Sequence, residues 1–350
     1  MNYKIININE SGSRGILIIY TGGTFGMIMD ESGSLIPFNF GKVVDKIPEL
    51  KSLDIRLTVI SFPVPIDSSN INLGDWKSLS YIIEENYHQY DGFVILHGTD
   101  TMAYTASMLS FMLEGLNKPV ILTGAQMPIG SVRSDARENL ITALEIASAE
   151  ENGHPIVSEV CIYFNFVLLR GNRSQKIRSS QFAAFESENF PYLAEAGISI
   201  KYNFNALMPF KKDAKLHVRS DIDPNVSILK IFPGISEAAV RGTIFAKNLK
   251  GLILETFGSG NTMKSEWFLG CLTEAVESGL VILNVSQCIG GEVMQGKYET
   301  SKRLVEIGVL SGGDITTEAA VAKMMILLGC EEDKDVLRER LTAPLNGEMD

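Results

Sequence analysis

The stretch Gly15-Ile16-Leu17-Ile18-Ile19-Tyr20-Thr21-Gly22-Gly23-Thr24-Phe25-Gly26 decides the architecture. Its first half is a continuous apolar run, which needs cover on both faces and so belongs to a buried parallel strand. Its second half is a glycine turn flanked by hydroxyls. It lies just past the strand's carboxyl end, where open α/β sheets bind small ligands. Gly22 and Gly23 permit close backbone approach, while Thr21 and Thr24 place hydroxyls beside the turn. The turn matches neither a GxGxxG fingerprint nor a P-loop ending in GK[ST], which leaves an anion site or a held nucleophile.

Working outward, the same pattern recurs. A strand over Gly92 to Leu96 leads into His97-Gly98-Thr99-Asp100-Thr101, a helical spacing follows over Met102 to Leu113, and Pro119 to Leu122 returns as a strand. That is a strand, helix, strand unit. A strand over Leu57 to Ile60 ends at Ser61-Phe62-Pro63 and Pro65, a helix is expected over Asn139 to Glu150 and a strand over Glu159 to Asn165. The reading is α/β, with a larger N-terminal doubly wound, mostly parallel sheet domain at 1–201. Residues 202–224, with Pro209, Lys211-Lys212 and Asp221-Ile222-Asp223-Pro224, read as an inter-domain linker. A smaller C-terminal α/β domain follows at 225–350. Its strands are expected at Val226 to Phe232, Gly251 to Thr256 and Leu280 to Val285, with helices over Glu266 to Ser278 and Thr317 to Leu328. Asp314 or Thr316 would cap the latter helix, and the tail Asn346 to Asp350 is expected to fray.

Composition narrows the function. The chain has 350 residues, 45% of them hydrophobic and 21% charged, which fits a folded protein of two domains. A net charge of -11 opposes a nucleic-acid backbone. Cys161, Cys271, Cys288 and Cys330 form no CxxC pair and read as buried structural thiols in a reducing compartment. No export segment opens the chain, and no apolar run reaches the roughly 18 residues of a membrane span, so the expectation is a cytoplasmic protein without a membrane partner. The four histidines show no zinc-site spacing, and no serine sits in a GxSxG elbow.

Thr24 needs an activating group, because a free hydroxyl is a poor nucleophile near neutral pH. Lys176, in Arg170-Gly171-Asn172-Arg173-Ser174-Gln175-Lys176, is a candidate base, although a lone lysine is more often a surface charge. Asp100 either caps the helix after it or binds a substrate ammonium. His97 reads as a packed strand-end histidine in preference to a catalytic one. Asp135 and Glu138, beside Arg133 and Arg137, fit a surface or subunit ion-pair network as well as acid chemistry.

These residues resemble a known family, the bacterial-type asparaginases, and more closely their cytoplasmic type I branch. The matches are YTGGTFG at Tyr20 to Gly26, DSSNI at Asp67 to Ile71, HGTDTMAYTA at His97 to Ala106, VILTGAQMPIG at Val120 to Gly130 and RGNRSQK at Arg170 to Lys176. TFGSGN at Thr256 to Asn261 and SGGDITTEAA at Ser311 to Ala320 extend them, so the resemblance spans about residues 15 to 330. It implies hydrolysis of the L-asparagine side-chain amide to aspartate and ammonia, with no metal and no organic cofactor. It implies Thr24 as nucleophile and Thr99, Asp100 and Lys176 as the second catalytic group. Gly23, Asp67, Ser68, Ser69, Gly98, Thr99, Asp100, Ala125 and Asn261 would contact substrate, with Ser68 and Asp100 clamping its α-carboxylate and α-ammonium. Backbone N–H groups near Gly23 or Thr99, together with Ala125, would hold the oxyanion.

One position departs from the pattern. Many family members carry a relay tyrosine in a GYxP segment, whereas this chain reads Gly33-Ser34-Leu35-Ile36-Pro37, and Leu35 cannot pass a proton. Tyr298, in Gly296-Lys297-Tyr298-Glu299-Thr300, is the replacement candidate, with a packed or interface tyrosine as the competing reading. The resemblance further implies a homodimer or a dimer-of-dimers homotetramer, with Asn261 reaching toward a partner's site. Asparagine control at a second site near Gln287-Cys288 is not carried over, because Glu255 and Gln175 stand where an arginine and a threonine are expected. Two alternatives remain: the ammonia-generating subunit of a tRNA-dependent amidotransferase, and a non-catalytic asparagine sensor.

Overall fold

The computed structural model describes residues 3–29, 35–37, 46–296 and 299–350. The chain divides into two compact units, Met1–Val218 and Arg219–Asp350.

The first unit is built on a nine-stranded sheet. Its strands are β1 (Lys4–Asn9), β2 (Arg14–Gly22), β3 (Ile55–Ile66), β4 (Gly92–Leu96), β5 (Val120–Thr123), β6 (Val160–Phe164), β7 (Val167–Arg170), β8 (Ala194–Ala196) and β9 (Ile200–Tyr202). They lie in the order β1-β3-β2-β4-β5-β6-β7-β8-β9. The five central strands, β3, β2, β4, β5 and β6, run parallel, while β1 and β7 to β9 add antiparallel edges. The expected doubly wound sheet is therefore present and mixed at its margins.

Burial explains why the centre is parallel. From Gly15 to Gly22 and throughout β4, β5 and β6 every residue is buried. Both faces are covered, by α2 (Met102–Met112) and α3 (Ala136–Ser148), with α1 (Leu73–Asn86) packed on α2. Helix α3 lays Ala136, Leu140, Ala143, Leu144 and Ala147 onto Ile16, Ile18, Val94 and Ile121. Each such aliphatic side chain, when fully buried, contributes about 1.5–3 kcal/mol.

Strand β3 outruns its sequence expectation, continuing through Pro63 and Pro65 to Ile66. The pairing with β2 shifts between Tyr20 and Gly22, which meet Ser61 and Ile66. The prolines occupy that irregular stretch, where their missing N–H groups cost no ladder bonds.

Chain order around β2 places the site. After β2 the chain goes to β3 on one side and then to β4 on the other, so β2 and β4 diverge at their carboxyl ends. That divergence is a topological switch point, where α/β sheets hold ligands.

The second unit carries a four-stranded parallel sheet, β10 (Val226–Lys230), β11 (Gly251–Thr256), β12 (Val281–Ser286) and β13 (Leu310–Ser311), in that order. Helices α4 (Glu237–Ile244), α5 (Glu266–Glu277) and α6 (Glu299–Ile307) are followed by α7 (Thr317–Cys330) and α8 (Lys334–Thr342). Val240, Phe268 and Leu272 of α4 and α5 pack with Leu252, Leu254 and Ile282 of the sheet. Thr316 is the cap of α7, accepting from the Ala319 N–H at 3.2 Å.

The tail does not fray. Glu348 and Met349 are buried, and Lys323 Nζ meets Glu348 Oε1 at 2.6 Å with both side chains fully enclosed. The lysine also donates to the carbonyls of Leu341 and Ala343, while Glu348 accepts from the N–H groups of Leu345 and Asn346. A buried charge persists only when paired and hydrogen-bonded in this way. Nor are all the thiols buried: Cys161 and Cys271 are, Cys330 is partly so and Cys288 is exposed.

Candidate active site

Three loops at adjacent strand ends converge. Strand β2 runs into the turn Thr24–Gly26, β3 into Ser68–Asn70, and β4 into Thr99–Thr101, which continues as α2. Gly23 has φ +81°, and a Cβ there would lie 2.5 Å from both Cα and N of Gly98. A Cβ on Gly98 would in turn lie 2.5 Å from Ser68 Oγ. Backbone therefore meets backbone, and hydrogen bonds fix the approach. The Gly23 N–H donates to Ile66 O at 3.1 Å, Thr21 Oγ1 to Leu96 O at 2.9 Å and Thr101 Oγ1 to Ser68 O at 2.7 Å. The glycine contact brings the Thr24 and Thr99 segments side by side.

Lys176 comes from a short hairpin in which Gln175–Lys176 pairs with Phe185–Glu186. Its Nζ donates to Thr99 Oγ1 at 2.8 Å and to Asp100 Oδ1 at 2.6 Å. The lysine side chain is only 15% exposed while that of Asp100 is 66% exposed. A half-open ion pair adds little stability, so its effect is to aim the lysine at a hydroxyl. Asp100 is not the cap residue of α2, whose N-cap is Thr101. A hydroxyl bonded to a lysine amine is an arrangement suited to proton transfer.

The loop after β5 borders Thr99. Ala125 is buried, and Thr99 Oγ1 donates to Gln126 Oε1 at 3.1 Å. Asp135 turns out to serve this loop. Its carboxylate accepts from the N–H of Gln126 at 3.0 Å, the N–H of Met127 at 3.0 Å and Asn139 Nδ2 at 3.2 Å. The expected ion-pair role falls instead to Arg137, which meets Glu49, while Glu138 accepts from Thr142. A cleft of about 450 Å³ runs between Gln126, Met127 and Arg133 on one side and Ser179 to Phe182 on the other.

His97 is held from both ring nitrogens. Nδ1 lies 2.7 Å from Gly98 O, and a carbonyl can only accept, so Nδ1 carries the proton. Nε2 then accepts from Thr105 Oγ1 at 2.9 Å, and that hydroxyl accepts from Trp76 Nε1 at 2.9 Å. Burial lowers the pKa of this imidazole to about 4, so it is neutral at ordinary pH. The chain of bonds fixes Gly98, which is the packed role expected.

The remaining site residues fall as follows. Thr24 is partly exposed, Gly23, Gly98 and Thr99 are buried, and Ser68 is buried beside Gly98. Asp67 and Ser69 are exposed, and the Asp67 carboxylate accepts from the Ser69 N–H at 3.1 Å. Asn261 belongs to the second unit, in a turn where its N–H and C=O both pair with Phe257. Leu35 lies in a short strand, Leu35–Pro37, paired with Met27–Met29. Tyr298 lies outside the described residues. Gln126, Thr105 and Trp76 are additions that sequence reasoning missed, and Asp135 takes a backbone-holding role in place of the ion-pair or acid role weighed for it. Among the described residues no cluster of His, Cys, Asp and Glu could hold a metal, and no helix is long and apolar enough to cross a membrane.

Comparison with known proteins gives a consistent picture. Residues 15–208 match the family described as "Asparaginase, N-terminal", and residues 225–341 match "Glutaminase/Asparaginase C-terminal domain". L-asparaginase 1 of Escherichia coli is 40% identical over 96% of this chain and 98% of its own length. The human 60 kDa lysophospholipase is also 40% identical, over 96% of this chain and 61% of its own. The crystal structure of L-asparaginase I from Vibrio cholerae superposes with a TM-score of 0.87 at 38% identity, covering 96% of this chain and 99% of that one.

Proposed function

The chain belongs to the bacterial-type L-asparaginase family, in its type I branch, and from that premise we propose that it hydrolyses the side-chain amide of L-asparagine in the cytoplasm through an acyl-enzyme on Thr24. The observation that carries the proposal is the Lys176, Thr99 and Asp100 cluster, set beside the Thr24 turn by the contact of Gly23 with Gly98.

Thr24 Oγ attacks the amide carbon, the C–N bond breaks, and the hydroxyl proton leaves with the departing ammonia. Water then adds to the acyl carbon, its proton returns to Thr24 Oγ, and aspartate is released. Thr99 with Lys176 and Asp100 is assigned the activation of the hydroxyl or the water in these steps, a reading that their hydrogen bonds support. Backbone N–H groups at Gly23 or Thr99, with Ala125, hold the oxyanion, and Ser68 and Asp100 hold the α-carboxylate and α-ammonium. Tyr298 is assigned the relay that Leu35 cannot perform, and Tyr298→Phe is expected to lower turnover at least about tenfold. Near-normal turnover in a folded Tyr298→Phe protein would remove it. A homodimer or tetramer is part of the same reading, with Asn261 at a subunit boundary.

One extra methylene is worth about 1–3 kcal/mol of discrimination, so glutamine should be a poorer but measurable substrate. The test is ammonia release by purified protein from each amide, in wild type and Thr24→Ala. Activity lost in Thr24→Ala, with asparagine preferred by kcat/KM, is expected. A clear glutamine advantage would overturn the substrate, and binding of asparagine without turnover would favour a sensor. Co-purification with tRNA would favour the amidotransferase role.

A further inference from the structure

The Thr99 hydroxyl has one proton to give, and its direction is not free. Lys176 Nζ donates to Thr99 Oγ1 at 2.8 Å, which occupies one lone pair. The proton goes to Gln126 Oε1 at 3.1 Å. Which end of the Gln126 amide faces Thr99 is decided from its far side, where Nε2 donates to Gln181 O at 2.9 Å and Ser179 O at 3.3 Å. A reversed amide would aim an oxygen at two carbonyl acceptors and an N–H₂ at Thr99. The backbone beneath is fixed too, by Asp135 on the N–H groups of Gln126 and Met127.

We infer that Gln126 is a positioning residue that sets the direction of the Thr99 hydroxyl proton. This deepens the asparaginase reading above and rests on it. With its proton held by Gln126 and one lone pair held by Lys176, Thr99 has, among the described residues, a single lone pair uncommitted. That lone pair can accept a hydrogen bond from an attacking water and so orient it, while the proton the water loses goes to Thr24 Oγ as the acyl bond breaks. The tie has a second consequence. Ser179 and Gln181 lie in the loop that joins Lys176 to its hairpin partner strand, so one amide registers the Thr99 hydroxyl against the segment that delivers the lysine.

The experiment compares kcat and KM for L-asparagine in the full chain carrying Gln126→Met or Gln126→Glu. Methionine keeps the length and removes the acceptor. Glutamate keeps an oxygen toward Thr99 and removes the donor to the two carbonyls. Gln126→Met is expected to lower kcat at least about 30-fold with KM within about threefold, because misdirecting a reacting group costs turnover more than binding. Gln126→Glu, which keeps an acceptor for Thr99 but turns an oxygen onto the two carbonyls, is expected to recover part of the loss, with kcat at least about fivefold above that of Gln126→Met. Should Gln126→Met fail to fold, Gln126→Ser carries the same expectation. A kcat within about threefold of wild type in the methionine or serine variant would overturn the inference. So would a glutamate variant no better than methionine, since the Ser179 and Gln181 carbonyls would then be the essential partners. Failure of the asparaginase reading is separately visible, as absent ammonia release by wild type or activity surviving in Thr24→Ala.

Discussion

Acidification should weaken the first unit through His97. In the folded chain this imidazole is buried, with Nδ1–H on Gly98 O and Nε2 accepting from Thr105. A second proton would turn Nε2 into a donor facing a hydroxyl that already receives Trp76, so Thr105 would have to reorient. The folded pKa of about 4 lies below the ordinary 6.5, and burial is the principal cause. The unfolded chain therefore takes the proton first. The stabilisation is complete above the unfolded value, declines as pH falls below 6.5, and is gone once the folded value of about 4 is passed. At about 1.4 kcal/mol per pH unit this amounts to about 3 kcal/mol. The assay is denaturant unfolding of wild type and His97→Asn, followed in parallel from about pH 7.5 to about pH 4. The advantage of wild type over the variant should shrink by about 3 kcal/mol across that interval. An advantage that stays constant to within about 0.5 kcal/mol would refute the buried neutral imidazole.

Three further outcomes follow from the packing already described. Gly23→Ala places a Cβ 2.5 Å from Gly98 at φ +81° and should cost at least about 1–3 kcal/mol by denaturant unfolding, with ammonia release largely lost. Glu348→Ala leaves Lys323 buried without its carboxylate and should destabilise the second unit by about 3–5 kcal/mol, whereas Lys323→Met with Glu348→Leu should recover most of that loss in thermal unfolding. Asp135→Asn cannot satisfy the donors that the carboxylate holds, and should cost about 1–3 kcal/mol together with a fall in kcat.

Continuous apolar runs such as Ile16 to Tyr20 and Leu252 to Leu254 were legible because burial on both faces leaves no other composition open to a strand. The two threonine loops were legible because glycines and hydroxyls cluster just after those runs. What escaped depends on contacts between distant segments. Asp135 looks like one charge among several, and only the fold turns its carboxylate onto the Gln126 and Met127 backbone. Strand β3 seemed to stop at its prolines, because a pairing irregularity opposite Thr21 has no local signature. The tail looked polar enough to fray, and the lysine that holds Glu348 lies 25 positions earlier, on a helix. Lys176 was legible as a candidate base only through its motif, and the hairpin that carries it to Thr99 has no local signature.

The seam between Gly23 and Gly98 also limits how this catalyst can be redesigned. A Cβ on Gly23 meets only backbone, which has no side chain to surrender, and a Cβ on Gly98 meets Ser68, a side chain the site itself is assigned, so neither replacement can be relieved without loss. Saturation libraries spent on the seam should return almost no active clones. Variation in substrate preference has to be sought on the rim, at the Asp67 turn, at Met127 and Arg133 and along the loop from Ser179 to Phe182, where side chains border an open cleft or solvent.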